Sequence, residues 1–332
     1  MLNVSLTHEV KADIKEEMKI MEFRYKKQHD IKKMKKKIFS RWYIYPLLVD
    51  QEKRNSDNSL LTDNERIRWD RQLLHPLINQ KRIKQAKIVV FGLGGIGSNA
   101  LLGLVYTGIQ KFKIIDFDKV ELSNLNRQTL YVPKDIGDLK CEKARKRLLE
   151  INPNIDIKAF NLKIDYPAEL NVLSINENAY PNEILKIDKL IKWGDYIINA
   201  VDYFGAPYLI NDLCVKNGKP FYFAGTGFFF GEIYCFSSNK KTACMRCIFG
   251  PTDFSNKMKF RRYKIYNSQK GVVIGTTCIS TGNFISEMII RDICNIHNPF
   301  HGHYFMYDAF NFEIHRVPAK VNEKCKCRDF IK

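Results

Sequence analysis

Residues Ile88 to Lys140 read IVVFGLGGIGSNALLGLVYTGIQKFKIIDFDKVELSNLNRQTLYVPKDIGDLK, and this stretch decides the fold. The apolar run Ile88–Phe91 leads into Gly92-Leu-Gly94-Gly95-Ile-Gly97, then an apolar helical pattern, then Lys113-Ile-Ile-Asp116. That order is a strand, a glycine-rich turn, a helix and a second strand ending in an acid. Glycine at Gly92, Gly94, Gly95 and Gly97 lets the backbone turn tightly and approach a pyrophosphate at a helix N-terminus. Asp116 follows Gly97 by 19 residues and is placed to accept hydrogen bonds from a ribose. Asn124-Leu-Asn-Arg127-Gln128 and Lys140 come next, and hydride transfer has no use for them.

Working outward, strands and helices alternate from Ala86 onward. Lys87–Phe91, Phe112–Asp116, Ile155–Asn161, Tyr196–Ala200, Pro220–Ala224 and Glu232–Phe236 read as strands. Helices fit Ile96–Thr107, Cys141–Ile151, Asn182–Lys192, Ala206–Asn217 and the apolar segment Gly282–Ile296. Such alternation predicts an α/β fold, Rossmann-like, with a mostly parallel sheet covered on both faces. Upstream, Thr62 or Asp63 caps a helix that begins near Glu65 and reads ERIRWDRQLL. Residues 1–60 form a separate N-terminal segment, basic and aromatic, joined through the polar linker Arg54-Asn-Ser-Asp-Asn-Ser. The domain proper is expected to span 61–332.

At 332 residues with 45% hydrophobic content, the chain can bury a sizeable core. No apolar run reaches membrane-span length, and the N-terminus has no signal-peptide pattern, so a cytoplasmic protein is expected. The net charge of +18 is uneven: Ile31–Arg41 holds six basic residues and no acid, and Asn256–Lys264 holds five and no acid. These segments are either solvated surface or a docking face for an acidic partner. No helix-turn-helix, RNA-binding or finger signature accompanies them, which argues against nucleic acid.

The glycine turn alone fits NAD, FAD or ATP. The cations Arg127 and Lys140, with the polar Asn124 and Gln128 in the same segment, shift the balance to ATP. Nucleotidyl transfer is catalysed by positioning and by neutralising spread anionic charge. Taken together, GLGGIG, DFD, SNLNRQ, GDLK and NAVD resemble the adenylating E1 superfamily of the ThiF and MoeB type. That superfamily includes ubiquitin-like activators and the peptide-modifying enzymes of microcin C and pantocin biosynthesis. The resemblance covers about Glu65 to Cys327.

The resemblance implies an E1 adenylation fold using ATP and Mg²⁺. Asp116 would bind the ribose, Asn124, Arg127 and Lys140 would grip the phosphates, and Asp118 and Gln128 would belong to the same cofactor site. Asp202, in Asn199-Ala-Val-Asp202, would hold Mg²⁺, a hard cation that takes oxygen ligands. Arg71, in Arg68-Trp-Asp-Arg71-Gln72, stands where the family has an arginine reaching the partner subunit's ATP site, which implies a homodimer. Singly, each of these residues also fits a bland role: a strand end, a surface charge or a loop cap.

Cys244-Met-Arg-Cys247 and Cys325-Lys-Cys327 supply four thiols in two close pairs, a donor set for tetrahedral structural Zn²⁺. The pairs lie 77 residues apart, so the metal would clip the C-terminal tail to the domain. The single residue between Cys325 and Cys327 is expected to strain joint ligation more than the family's usual two would. Ubiquitin-type activators carry a nucleophilic cysteine on a crossover loop. Here that loop falls within Phe254–Gly271 and contains no cysteine. Cys278 reads as a buried thiol at the start of a packed helix.

The resemblance to peptide-modifying members extends to the basic segment before the adenylating domain, which would bind a short, acidic ribosomal precursor peptide. The expected reaction is ATP-dependent activation of a peptide carboxylate, followed by cyclisation or dehydration. The alternatives are activation of a sulfur carrier ending in Gly-Gly, a non-catalytic scaffold, and a nicotinamide dehydrogenase.

Overall fold

The computed structural model describes residues 61–330 apart from positions 76, 165–171, 203–204, 228 and 250–272. The N-terminal segment 1–60 and the expected crossover loop at 254–271 therefore lie outside the described residues. Helix α1 (Asp63–Arg68) opens on a capping box. The Glu65 amide donates to Thr62 Oγ1 at 3.3 Å, and the Thr62 amide donates to Glu65 Oε2 at 2.9 Å. The single helix expected here breaks at Trp69, and α2 (Asp70–Leu73) follows. The break seats the indole: Trp69 is buried and its Nε1 donates to the Tyr106 carbonyl at 3.0 Å. Next comes α3 (Gln80–Gln85), capped by Asn79.

The alternating core runs β1 (Lys87–Phe91), α4 (Gly95–Thr107), β2 (Lys111–Ile115), α5 (Lys140–Ile151) and β3 (Asp156–Phe160). It continues through α6 (Asn182–Trp193), β4 (Tyr196–Asn199), α7 (Ala206–Lys216), β5 (Phe221–Gly227) and β6 (Phe230–Phe236). The chain closes with α8 (Met245–Phe249), α9 (Gly275–Ile293), β7 (His303–Asp308) and β8 (Glu313–Pro318). Eight strands form one sheet in the order β3-β2-β1-β4-β5-β6-β7-β8. The pairs from β3 through β5 are parallel, and those from β5 through β8 are antiparallel.

Strand alternation divides the core between the two faces. Ile88 and Val90 of β1 point to one side, against Leu101 and Leu104 of α4 and Ile285, Met288 and Ile289 of α9. Val89 and Phe91 point to the other, against Ile184, Ile187 and Ile191 of α6 and Leu209, Ile210 and Leu213 of α7. Val89 and Val90 both being buried is what a central parallel strand covered on both faces requires. The helix α9 begins seven residues before the expected Gly282 start. Small residues let it lie close on α4: Ser286 Oγ donates to the Ala100 carbonyl at 2.9 Å, and a Cβ on Gly282 would meet the Ile96 carbonyl at 2.8 Å. The strand order turns back between β1 and β4, which opens a crevice at their carboxyl ends. Among the described residues, no helix is long and apolar enough to cross a membrane.

Candidate active site

The crevice is floored by the glycine turn. Gly92 has φ +88°, and a Cβ there would come within 2.5 Å of the Ala200 carbonyl oxygen. On Gly97 a Cβ would sit 1.9 Å from the Gly92 carbonyl oxygen, so both positions require glycine. Gly94 is the N-cap of α4 and offers no capping side chain, which leaves the first amides of the helix free to face an anion. Gly95 abuts Cys278 Sγ and the Arg127 side chain, 2.8 and 3.3 Å from where its Cβ would lie.

Asp116 closes the side next to β2. It is buried, and its Oδ2 accepts from the Leu93 amide at 2.7 Å while its Oδ1 accepts from the Asp118 amide at 2.8 Å. Burial pushes its carboxyl above the usual range, while the Leu93 amide and Lys140 pull the other way. Lys140 begins α5, is buried, and reaches back to Asp118 with Nζ–Oδ2 of 2.9 Å. The acid of that pair is half exposed.

The loop after β2 brings in Asn124, Arg127 and Gln128. Asn124 is buried and its Oδ1 accepts from the Glu121 amide at 3.1 Å. Arg127 is partly exposed and donates through Nη1 to the Ser123 carbonyl and to Asn126 Oδ1, both at 2.9 Å. Gln128 is buried, and among the described residues its Oε1 has no hydrogen-bond partner. Two residues not anticipated from sequence pin this loop. Asn99 of α4 donates to the Arg127 carbonyl at 3.2 Å and accepts from Thr129 Oγ1 at 2.9 Å. Tyr131 donates to the Leu93 carbonyl at 3.0 Å. The one sequence sign for Asn99 was a polar residue in an otherwise apolar helix.

Asp202 is exposed and lies just past β4, where the Ala200 amide donates to the Phe91 carbonyl at 2.8 Å. It therefore stands beside the turn, while Asn199 before it has a buried Oδ1 with no partner among the described residues. These features fit a bound ATP: a turn a single Cβ would block, buried polar oxygens awaiting donors, and a lysine and arginine at its rim. Asp202 fits Mg²⁺, which is commonly held by one or two carboxylates plus phosphate oxygens. Arg71 is not brought to this site within one chain. Its side chain is 89% exposed beside Asp70, and the adjacent Gln72 donates to the Thr107 carbonyl at the far end of α4.

The four cysteines converge despite the short CxC spacing. Sγ–Sγ distances are 3.8 Å for Cys244–Cys247, 3.7 Å for Cys244–Cys325 and 3.4 Å for Cys247–Cys327, and all four atoms lie within 4.8 Å of one another. A tetrahedron with Zn–S bonds of about 2.3 Å has edges of about 3.8 Å, so the donor set fits zinc. Hydrogen bonding from Cys244 holds the Cys247 and Cys325 thiols below the usual thiol range. Arg246, between Cys244 and Cys247, pairs with the fully buried Asp212 of α7 at 2.6 Å from its Nε, which orients the knuckle. Cys278 is buried in the first turn of α9, as expected, and burial pushes its thiol up.

Residues 69–328 match the ThiF family. The chain belongs to that family. A sulfur carrier protein adenylyltransferase from Thermus thermophilus is 29% identical over 271 residues, which is 80% of this chain and 91% of that protein. The chain spans between 41% and 62% of the length of seven further curated relatives. Among solved structures, E. coli MccB with AMPCPP and MccA has a TM-score of 0.64 at 22% identity, covering 78% of this chain and 73% of that one. PaaA has a TM-score of 0.62 at 21% identity, covering 88% of this chain and 97% of that one. Both share the fold. As a ThiF-family member this protein is an ATP-dependent adenylyltransferase.

Proposed function

We propose that this ThiF-family protein activates a carboxylate of a ribosomally made precursor peptide as its acyl adenylate. The observation that carries adenylation is the convergence, at the carboxyl ends of β1 and β4, of a side-chain-free turn, a buried lysine and an exposed acid. The substrate carboxylate attacks the α-phosphorus of ATP, the bond to the β-phosphate oxygen breaks, and pyrophosphate leaves. Lys140 and Arg127 offset charge developing on the phosphates, and Asp116 holds the ribose. Bound Mg²⁺, held by Asp202 and phosphate oxygens, would neutralise the departing pyrophosphate. Zn²⁺ held by Cys244, Cys247, Cys325 and Cys327 would fasten the C-terminal tail beneath α7. Arg71, exposed and remote from its own chain's turn, fits a role in the site of a second copy in a homodimer.

The peptide as substrate is supported by the basic N-terminal segment and by the length over which the PaaA fold matches. A cytoplasmic enzyme acting on an acidic leader fits the charge of +18. A second reading, activation of a sulfur carrier ending in Gly-Gly, is favoured by the 29% identity to the Thermus thermophilus enzyme. Incubating the protein with ATP, Mg²⁺ and the short peptide encoded beside its gene, then weighing the peptide, separates the two. Addition of AMP or loss of water supports the peptide. Adenylation confined to a Gly-Gly carrier transfers the function to the second reading.

A further inference from the structure

One partly buried acid lies outside the nucleotide crevice and, among the described residues, pairs with no cation. Glu232 projects from the middle of β6, directly opposite Gly225 of β5 and Met306 of β7. The Tyr304 hydroxyl of β7 donates to its Oε2. Among the described residues its Oε1 accepts no hydrogen bond and it has no ion-pair partner. A Cβ on Gly225 would lie 2.4 Å from Oε1, so glycine is what admits the carboxyl there. Phe249, the last residue of α8, packs edge-on against both Tyr304 and Phe223 and steadies this corner.

The placement relates Glu232 to the chemistry. Asn199 of β4 is in register with Phe223 of β5, so Gly225 is level with Val201, the neighbour of Asp202. Glu232 lies two strand spacings from the β4 exit, roughly 10 Å. It shares its face with Phe223 and Tyr234, the same face onto which the Asp202 loop leads into α7. A substrate whose carboxylate reaches the α-phosphate can lie over β5, where Gly225 and Gly227 keep the strand low.

We propose that Glu232 accepts the proton released when a substrate nitrogen captures the acyl adenylate. The step belongs to the peptide-activating function proposed above. The nitrogen lone pair attacks the acyl carbon, an N–C bond forms, the C–O bond to AMP breaks, and the N–H proton passes to Glu232 Oε1. Nitrogen is the nucleophile that needs such help: a thiol ionises readily near neutrality, whereas an amide N–H does not. Burial raises the Glu232 carboxyl above its usual range and the Tyr304 hydrogen bond lowers it, which moves the base toward working pH. Among the described residues the groups beside it are Tyr304 from β7, against which Phe249 packs, and Gly225 from β5, with His315 of β8 beyond Met306 on the same face.

The test uses the full-length enzyme and the peptide encoded beside its gene. ATP–pyrophosphate exchange reads adenylation, and mass spectrometry of the peptide reads capture. In E232Q, capture is expected to slow about 10²–10⁴-fold while exchange falls less than tenfold. Hydroxylamine, a nucleophile that needs no base, should restore discharge of the adenylate. Y304F removes the donor that favours the charged carboxylate, so the acid limb of the capture rate should move to higher pH. Equal losses in exchange and capture, or no loss in either, overturn the proposal. An unshifted pH limb in Y304F also overturns it. Peptide-dependent exchange by wild-type protein reports the parent function separately. If that exchange is absent, the peptide reading falls and this step falls with it.

Discussion

The two halves of the sheet are built to different rules. From β3 to β5 the strands are parallel and interleaved with helices, the central strands β1 and β4 are buried on both faces, and the candidate nucleotide cradle lies at their carboxyl ends. From β5 to β8 they are antiparallel, and β8 is exposed along its whole length, with Phe310 and Phe312 open beside it. In the first half, residues of the glycine turn are fixed by steric need. Under the function proposed above, the second half would present one face to whatever carries the carboxylate.

The largest expected effect breaks the parallel half. Gly97→Ala places a Cβ 1.9 Å from the Gly92 carbonyl. Exchange activity should be lost, and stability should drop by about 3 kcal/mol in denaturant melts. Asp202→Ala touches an exposed side chain. It should lower exchange about 10²–10³-fold with an unchanged melting temperature. If Gly97→Ala keeps full exchange, the turn does not hold phosphate.

Next in size is the join between the halves. Cys247→Ser removes one of the four convergent thiols. It should abolish bound zinc in metal analysis and lower Tm by roughly 10 °C. Unchanged Tm and metal content would detach the cysteines from any structural role. Smaller again is Arg71→Ala. With an 89% exposed side chain it should leave stability within about 0.5 kcal/mol. If Arg71 serves a second copy, mixing Arg71→Ala with Asp202→Ala protein should recover part of the exchange that neither shows alone. The smallest effect belongs to Phe312→Ser, at an 84% exposed position, where stability should change by less than about 0.5 kcal/mol.

The same division governs what the sequence showed. The β1 to α4 unit was legible to within a residue because glycine spacing and two-sided burial are both local patterns. Of Thr62 and Asp63, the two caps the sequence offered, the chain uses Thr62, and the helix starts at Asp63 rather than near Glu65. β7 and β8 were not anticipated. His303-Tyr-Phe-Met-Tyr-Asp carries no clean alternation, and β8 buries nothing that would impose one. The strain expected for Cys325-Lys-Cys327 did not keep its sulfurs apart: the chain tightens into a 3-10 turn (Lys326–Phe330) directly after Cys325, which brings Cys327 back to the cluster. Glu232 read as an ordinary strand acid; only the register that sets it against Gly225 and Tyr304 distinguishes it. Arg71 needed a resemblance, since nothing within one chain connects it to the crevice.

The central claim is that the cradle serves a peptide carboxylate. The most direct test is ATP–pyrophosphate exchange measured with the neighbouring short peptide and, in parallel, with a carrier ending in Gly-Gly. Exchange that depends on the peptide and vanishes in Asp202→Ala is the predicted result. Exchange with the carrier alone would contradict the account and make this protein an activator of sulfur carriers.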